Sequence, residues 1–217
     1  MDPYLNPFSP GAGQRPPELA GRTKIIEEAI ISLRRALAGR SFRPMLFLGL
    51  RGTGKTVLLN ELANQARDLG FLVSRLEAPE KADLVKMLYP EVKKIMRSLS
   101  TVELTKDLAS RGMQAVKRFA ANLKIEVGGV EISVEPHEAH GDSVDLETEL
   151  PDLFESIGTV AKAAKKGWLL SLDEIQYLSE QDFSALIVSL HRIAQTNLPV
   201  VLIGAGLPQL ARSAGEA

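Results

Sequence analysis

The chain has 217 residues, 45% of them hydrophobic and 24% charged, with a formal net charge of −1, the balance of an ordinary soluble protein able to bury a core. It contains no cysteine, which excludes disulfides and thiolate metal sites and fits a reducing compartment. No run reaches the roughly 18 apolar residues that a membrane-spanning helix needs, and the N-terminus lacks a charged start followed by an apolar stretch, so a cytoplasmic location is expected.

The chain opens with Pro3, Pro7, Pro10, Pro16 and Pro17, which predict an extended arm over residues 1–21. From Arg22, the spacing of Ile26, Ile30, Leu33 and Leu37 predicts a helix closed by Gly39. Met45 to Leu48 is an apolar run read as a strand and Val57 to Leu69 an amphipathic helix stopped by Gly70. Phe71 to Glu77 is a second strand. Helices are expected at Pro79–Met87, Pro90–Leu99 and Val102–Leu123.

The period then changes to two. Leu123, Ile125 and Val127 alternate with charged residues, Gly128 and Gly129 supply a turn, and Val130, Ile132 and Val134 alternate again, the pattern of a β-hairpin. Helical spacing returns over Leu150–Lys165, an apolar strand covers Trp168 to Leu172, a helix covers Gln181–Ala194, and Leu198–Ile203 is the last strand. Strands alternating with helices predict an α/β fold built on a parallel sheet flanked by helices. The expected organisation is a core over residues 22–217 with a helical and hairpin insertion at about 79–148.

Two segments carry chemistry. Gly49-Leu50-Arg51-Gly52-Thr53-Gly54-Lys55-Thr56 fits G-x-x-x-x-G-K-[ST], the P-loop or Walker A pattern, and it lies between a predicted strand and a predicted helix as its mechanism demands. The glycines allow a tight turn whose N–H groups, continuing through Val57, point at phosphates, and the helix dipole adds positive potential. Lys55 is placed to reach the β- and γ-phosphates and Thr56 to put its hydroxyl on Mg²⁺, so ATP or ADP with Mg²⁺ is the expected ligand.

The second segment, Trp168-Leu-Leu-Ser-Leu-Asp173-Glu174, is a buried strand ending in adjacent carboxylates and resembles a Walker B motif. Neighbouring side chains diverge at a strand's end, so Asp173 is expected to hold the metal while Glu174 polarises the attacking water.

Charge is divided along the chain. Residues 81–124 carry ten basic and four acidic residues, whereas residues 125–155 carry ten acidic residues and no Lys or Arg. The two blocks either pair with each other or leave a basic face for nucleic acid. His137 and His140 flank Glu138 without a further ligand at fixed spacing, which favours a solvated loop over a metal site.

Taken together, Asn6-Pro-Phe-Ser-Pro-Gly-Ala-Gly13, Pro17-Glu-Leu-Ala-Gly21-Arg22, the P-loop and Leu172-Asp-Glu-Ile-Gln176 resemble AAA+ ATPases, in the branch similar to origin-recognition initiators and STAND NTPases. The resemblance implies an ATPase in which Gly21 and Arg22 contact the adenine. It also implies a protein partner, a homo-oligomer or DNA as the object of the nucleotide cycle. One departure is that the strand the family places between its Walker strands ends here in Ile203-Gly204-Ala205-Gly206, without the usual polar residue. Gln176 is either a water-orienting or nucleotide-sensing amide or a cap on its loop. The sequence ends at Ala217 with Arg212 its only late arginine, and neither a lid domain nor an arginine finger is recognisable. A nucleotide-binding core with slow turnover is therefore expected.

Overall fold

The structure is a computed structural model that describes residues 21–101, 106–123, 126–127, 130–131 and 145–210. Four strands, β1 (Met45–Leu48), β2 (Phe71–Glu77), β5 (Gly167–Asp173) and β6 (Val200–Gly206), form one sheet in the order β1-β6-β5-β2. All three pairings are parallel. The two inner strands are buried at every position, which is why they read as unbroken apolar runs rather than as alternating ones.

Helices cover both faces. Helix α2 (Lys55–Asp68) packs across β2, β5 and β6, with α1 (Thr23–Leu37) beside it; α5 (Leu146–Ala163) packs on β5 and β6, with α6 (Glu180–Thr196) alongside. Strand alternation assigns the sides. Trp168 meets Phe154 of α5 edge-to-face at 5.0 Å, whereas Asp173, an odd number of steps along β5, meets Thr56 of α2. The buried indole also donates to Ser74 Oγ on β2 at 3.1 Å, which satisfies the one polar atom of an otherwise apolar side chain. The expected α/β class with a parallel, helix-flanked sheet is the observed one.

The segment between β2 and α5 differs from expectation in detail. Residues Pro79–Met87 and Pro90–Leu99 do not form two helices: a single helix, α3, runs from Leu84 to Ser100 with Pro90 inside it. Pro90 and Lys86, whose carbonyl loses its partner to the missing N–H, are both exposed, while Leu84, Leu88, Val92, Met96 and Leu99 continue one buried face through the helix. Asp83 caps the helix by accepting from Lys86 N at 3.0 Å, and the residues before it stay outside. Helix α4 (Lys106–Asn122) follows, and α3, α4 and α5 pack on one another. Val116 and Phe119 of α4 are buried in the same core as the sheet.

The hairpin is present as β3 (Glu126–Val127) and β4 (Val130–Glu131), with Val127 opposite Val130 across the expected turn. Its continuation through Val134, together with His137 and His140, lies outside the described residues, as do residues 1–20 of the N-terminal arm and Arg212. Helix α5 starts at Leu146 rather than Leu150 because Asp145 accepts from Glu147 N at 3.1 Å and caps it there. The last strand is displaced from Leu198–Ile203 to Val200–Gly206. Asn197, at φ 50°, ends α6 in a left-handed residue and delays the strand's entry.

The acidic residues of α5 find their partner on α6. Asp152 and Glu155 both pair with Arg192, at 2.6 and 3.0 Å, and Glu149 accepts from Asn122 of α4 at 3.0 Å. Within the basic block, Lys86 pairs with Asp83 and Lys94 with Glu91, each within its own helix turn.

Candidate phosphate-binding site

Strand β1 leads straight into the glycine-rich loop. Gly49 N donates to Gly206 O at 3.2 Å, which fixes the loop's start to the end of β6. Gly52 and Gly54 lie at φ 79° and 78°, a region that a residue with Cβ enters only at a cost. Gly54 is the N-cap of α2 and provides no side-chain cap, so the first N–H groups of the helix face the concavity of the loop. Thr53 Oγ1 donates to Leu50 O at 2.9 Å and closes the turn. A Cβ on Gly49 would sit 3.0 Å from that hydroxyl, so a side chain there would press on the contact that closes the turn.

Lys55 folds back over the loop, its ammonium donating to Gly49 O at 2.8 Å and Leu50 O at 2.9 Å. Arg51 leaves the loop in the other direction and donates to the Tyr177 hydroxyl at 2.8 Å. Leu50 is 69% exposed and Val57 half-buried in the first turn of α2.

Asp173, buried at the end of β5, accepts from Thr56 Oγ1 at 2.6 Å through Oδ2 and from Glu174 N at 2.9 Å through Oδ1. Its own carbonyl accepts from Ala78 N, which ties the strand end to the end of β2. A carboxylate oxygen and a hydroxyl held side by side are hard donors of the kind Mg²⁺ takes alongside water and phosphate oxygens, and no larger acidic or histidine cluster occurs among the described residues. The donor set thus fits a magnesium nucleotide better than a metal held by protein ligands alone. A cavity of about 310 Å³ opens beside this pair, lined by Thr56, Asn60, Arg75, Glu77, Ser171 and Asp173.

Glu174 lies in the left-handed region at φ 55° and ψ 39°, a conformation that costs a non-glycine residue on the order of 1–3 kcal/mol and that clusters at functional positions. It turns the chain from β5 into a one-turn 3₁₀ helix, Ile175–Tyr177, which the sequence pattern did not indicate. The Glu174 carboxylate accepts from Gln176 Nε2, and Gln176 Oε1 accepts from Leu207 N at 3.1 Å.

Gly21 and Arg22, expected at the adenine, immediately precede α1, with Arg22 as its N-cap. The Arg22 guanidinium donates to Thr53 O at 2.8 Å, so this segment reaches the phosphate loop directly. The structure therefore brings together Arg22, the loop from Gly49 to Val57, Asp173 and Glu174. Sequence reasoning did not foresee the Arg22–Thr53, Arg51–Tyr177 and Gln176–Leu207 contacts. Each joins residues at least 31 positions apart, and no local pattern encodes such a pairing.

No curated protein matches the sequence. The structure of C. elegans PCH-2 is similar at 15% identity and a TM-score of 0.42. That alignment covers 89% of this chain and spans 40% of the PCH-2 chain. The family described as AAA ATPase domain matches residues 18–203, a span that contains the phosphate loop, the Asp173-Glu174 pair and all four strands of the sheet up to Ile203. The chain belongs to the AAA ATPase domain family.

Proposed function

We propose that this domain binds Mg·ATP and hydrolyses it to ADP and phosphate, in a cytoplasmic protein that passes the nucleotide state to a partner. The observation that carries the reading is the 2.6 Å contact between Thr56 and Asp173, residues 117 positions apart, at the mouth of a glycine-rich loop. When bound, Mg·ATP supplies the transferable phosphoryl group and the divalent charge that offsets its oxygens. Lys55 exchanges a loop carbonyl for an anionic phosphate oxygen, so that both partners of the hydrogen bond carry charge. Thr56 and Asp173 hold the metal side of the site. Glu174 accepts a proton from the attacking water and releases it to solvent after the P–O bond to ADP breaks. Gly21 and Arg22 lie along the base; the Arg22 bond to Thr53 O supports this by setting that segment against the loop.

The test compares the parent with Lys55→Ala and Glu174→Gln, using nucleotide affinity and steady-state phosphate release. Loss of affinity in the first and retained affinity without release in the second are expected. Binding of Mg·ATP unchanged by Lys55→Ala would sink the assignment.

A second reading is a slow nucleotide-dependent switch, of the kind suggested by the resemblance to origin-recognition initiators and STAND NTPases. The observation favouring it is the end of β6, Gly204-Ala205-Gly206, which offers no polar side chain to the terminal phosphate. Steady-state turnover separates the two: a switch retains one nucleotide for minutes, and an ATPase shows multiple turnovers. The partner, whether protein, DNA or a second copy, is distinguished by which of them changes the rate.

A further inference from the structure

We propose that Gln176 is a positioning residue for Glu174, holding its carboxylate against the end of β6 through a two-sided carboxamide bridge. The inference rests on the reading of Glu174 as the general base, and deepens it.

The bridge has a definite chemistry. The Glu174 carboxylate can only accept and the Leu207 N–H can only donate, so the residue between them must offer one donor and one acceptor from a single planar group. Gln176 does this, with Nε2 on Glu174 Oε2 and Oε1 on Leu207 N. Lysine has no acceptor, glutamate ionised has no donor, and the shorter asparagine lacks a methylene of reach.

The surroundings leave the amide little freedom. Ile175 is buried, and Gly204 leaves room for it: a Cβ there would come 2.2 Å from Ile175 Cδ1. A Cβ on Gly206 would come 3.1 Å from Gln176 Oε1. The next residue, Tyr177, is held by Arg51 from the phosphate loop. The short 3₁₀ turn is thus fastened to the loop on one side and to β6 on the other, with Glu174 in its left-handed conformation at the start.

Strand β6 lies between the strand that carries the loop and the strand that carries Asp173. A carboxylate drawn toward the end of β6 is therefore drawn toward the gap between the two halves of the phosphate site, where a water attacking the terminal phosphate has to stand. The side chain that reaches the end of β6 comes from the neighbouring turn, and the glycines of β6 make room for it.

The test uses Gln176→Glu and Gln176→Met in the full chain, beside the parent and Glu174→Gln. Gln176→Glu keeps an acceptor for Leu207 N but has no donor for Glu174 and repels it; Gln176→Met loses both contacts. Both are expected to lower kcat roughly 10- to 100-fold, the scale of a catalytic group displaced by about 1 Å, with Mg·ATP affinity within about threefold of the parent. Amide hydrogen exchange at Leu207 should stay protected in Gln176→Glu and accelerate in Gln176→Met. Side-chain amide NMR signals of Gln176 in the nucleotide-free protein should shift on Glu174→Gln, a readout that does not depend on turnover. A Gln176→Glu variant with the parent's kcat would overturn the assignment and leave only a loop cap. A parent that fails to turn over would instead overturn the hydrolysis reading.

Discussion

Strands β5 and β6 are neighbours of equal length, both parallel, both buried at every position, yet one ends in two carboxylates and the other in Gly-Ala-Gly. Along their bodies the two strands do the same work, filling the middle of the sheet with Trp168, Leu169 and Leu170 beside Val200, Val201 and Leu202. Only the last residues differ, because only there does the chain leave the apolar layer and meet water and ligand. β5 delivers Asp173 to Thr56 and Glu174 to Gln176; β6 delivers backbone, with Gly206 O accepting from the phosphate loop and Leu207 N donating to Gln176. One strand end carries charge and the other carries the space and the hydrogen bonds that hold the charge in place.

The contrast can be broken most severely at the β5 end. Glu174→Gln should reduce phosphate release by about 10²–10⁴-fold, the usual contribution of a general base, with Mg·ATP affinity retained; equal release in a steady-state assay would move the base elsewhere. Lys55→Ala, on the loop facing both strands, should weaken ATP binding by roughly 10- to 100-fold, since a charge-assisted hydrogen bond contributes about 1.5–3 kcal/mol. Its melting temperature without nucleotide should change little, because the loop carbonyls that Lys55 serves can accept from water in its place.

At the β6 end the expected damage is to stability. Gly204→Ala places a methyl against Ile175 Cδ1 and Leu46 Cδ2, an overpacking that costs roughly 1–3 kcal/mol. Chemical denaturation should show it as a lower midpoint with an unchanged slope. An unaltered midpoint would mean that the turn over β6 is free to move. Within the strand bodies, Trp168→Phe leaves the buried Ser74 hydroxyl without its indole donor and shrinks a fully buried side chain, which should cost about 1–3 kcal/mol, without effect on turnover. Smallest of all, Arg192→Ala removes pairs to Asp152 and Glu155 from a side chain 45% exposed. Surface pairs contribute about 0–1 kcal/mol, so a larger shift in denaturation midpoint would show that the α5–α6 contact depends on it.

Much of the fold and of the phosphate site is legible in the sequence. A P-loop requires consecutive residues, since a single turn and the first turn of one helix build it; the pattern from Gly49 to Thr56 therefore carried its own geometry, including the left-handed Gly52 and Gly54. The two inner strands were legible because burial on both faces leaves an unbroken apolar run. Pro90 misled because proline's helix penalty is a local property, whereas the buried face of α3 is paid for by α4, α5 and β2, which no window of α3 contains.

What the sequence alone determined is whatever one short stretch of chain can encode: the phosphate loop, the carboxylate pair at a strand's end, the alternation of strand and helix. The tertiary structure decided the rest. The strand order sets β6 between the two halves of the site, and the resulting contacts, Thr56 with Asp173, Arg51 with Tyr177, Arg22 with Thr53 and Gln176 with Leu207, join residues that only the sheet brings within reach. The acidic stretch of α5 makes the same point, since among the described residues its cationic partner is Arg192 on α6. A hydrogen bond acts over about 3 Å, so residues distant in sequence acquire their partners only when packing closes that distance.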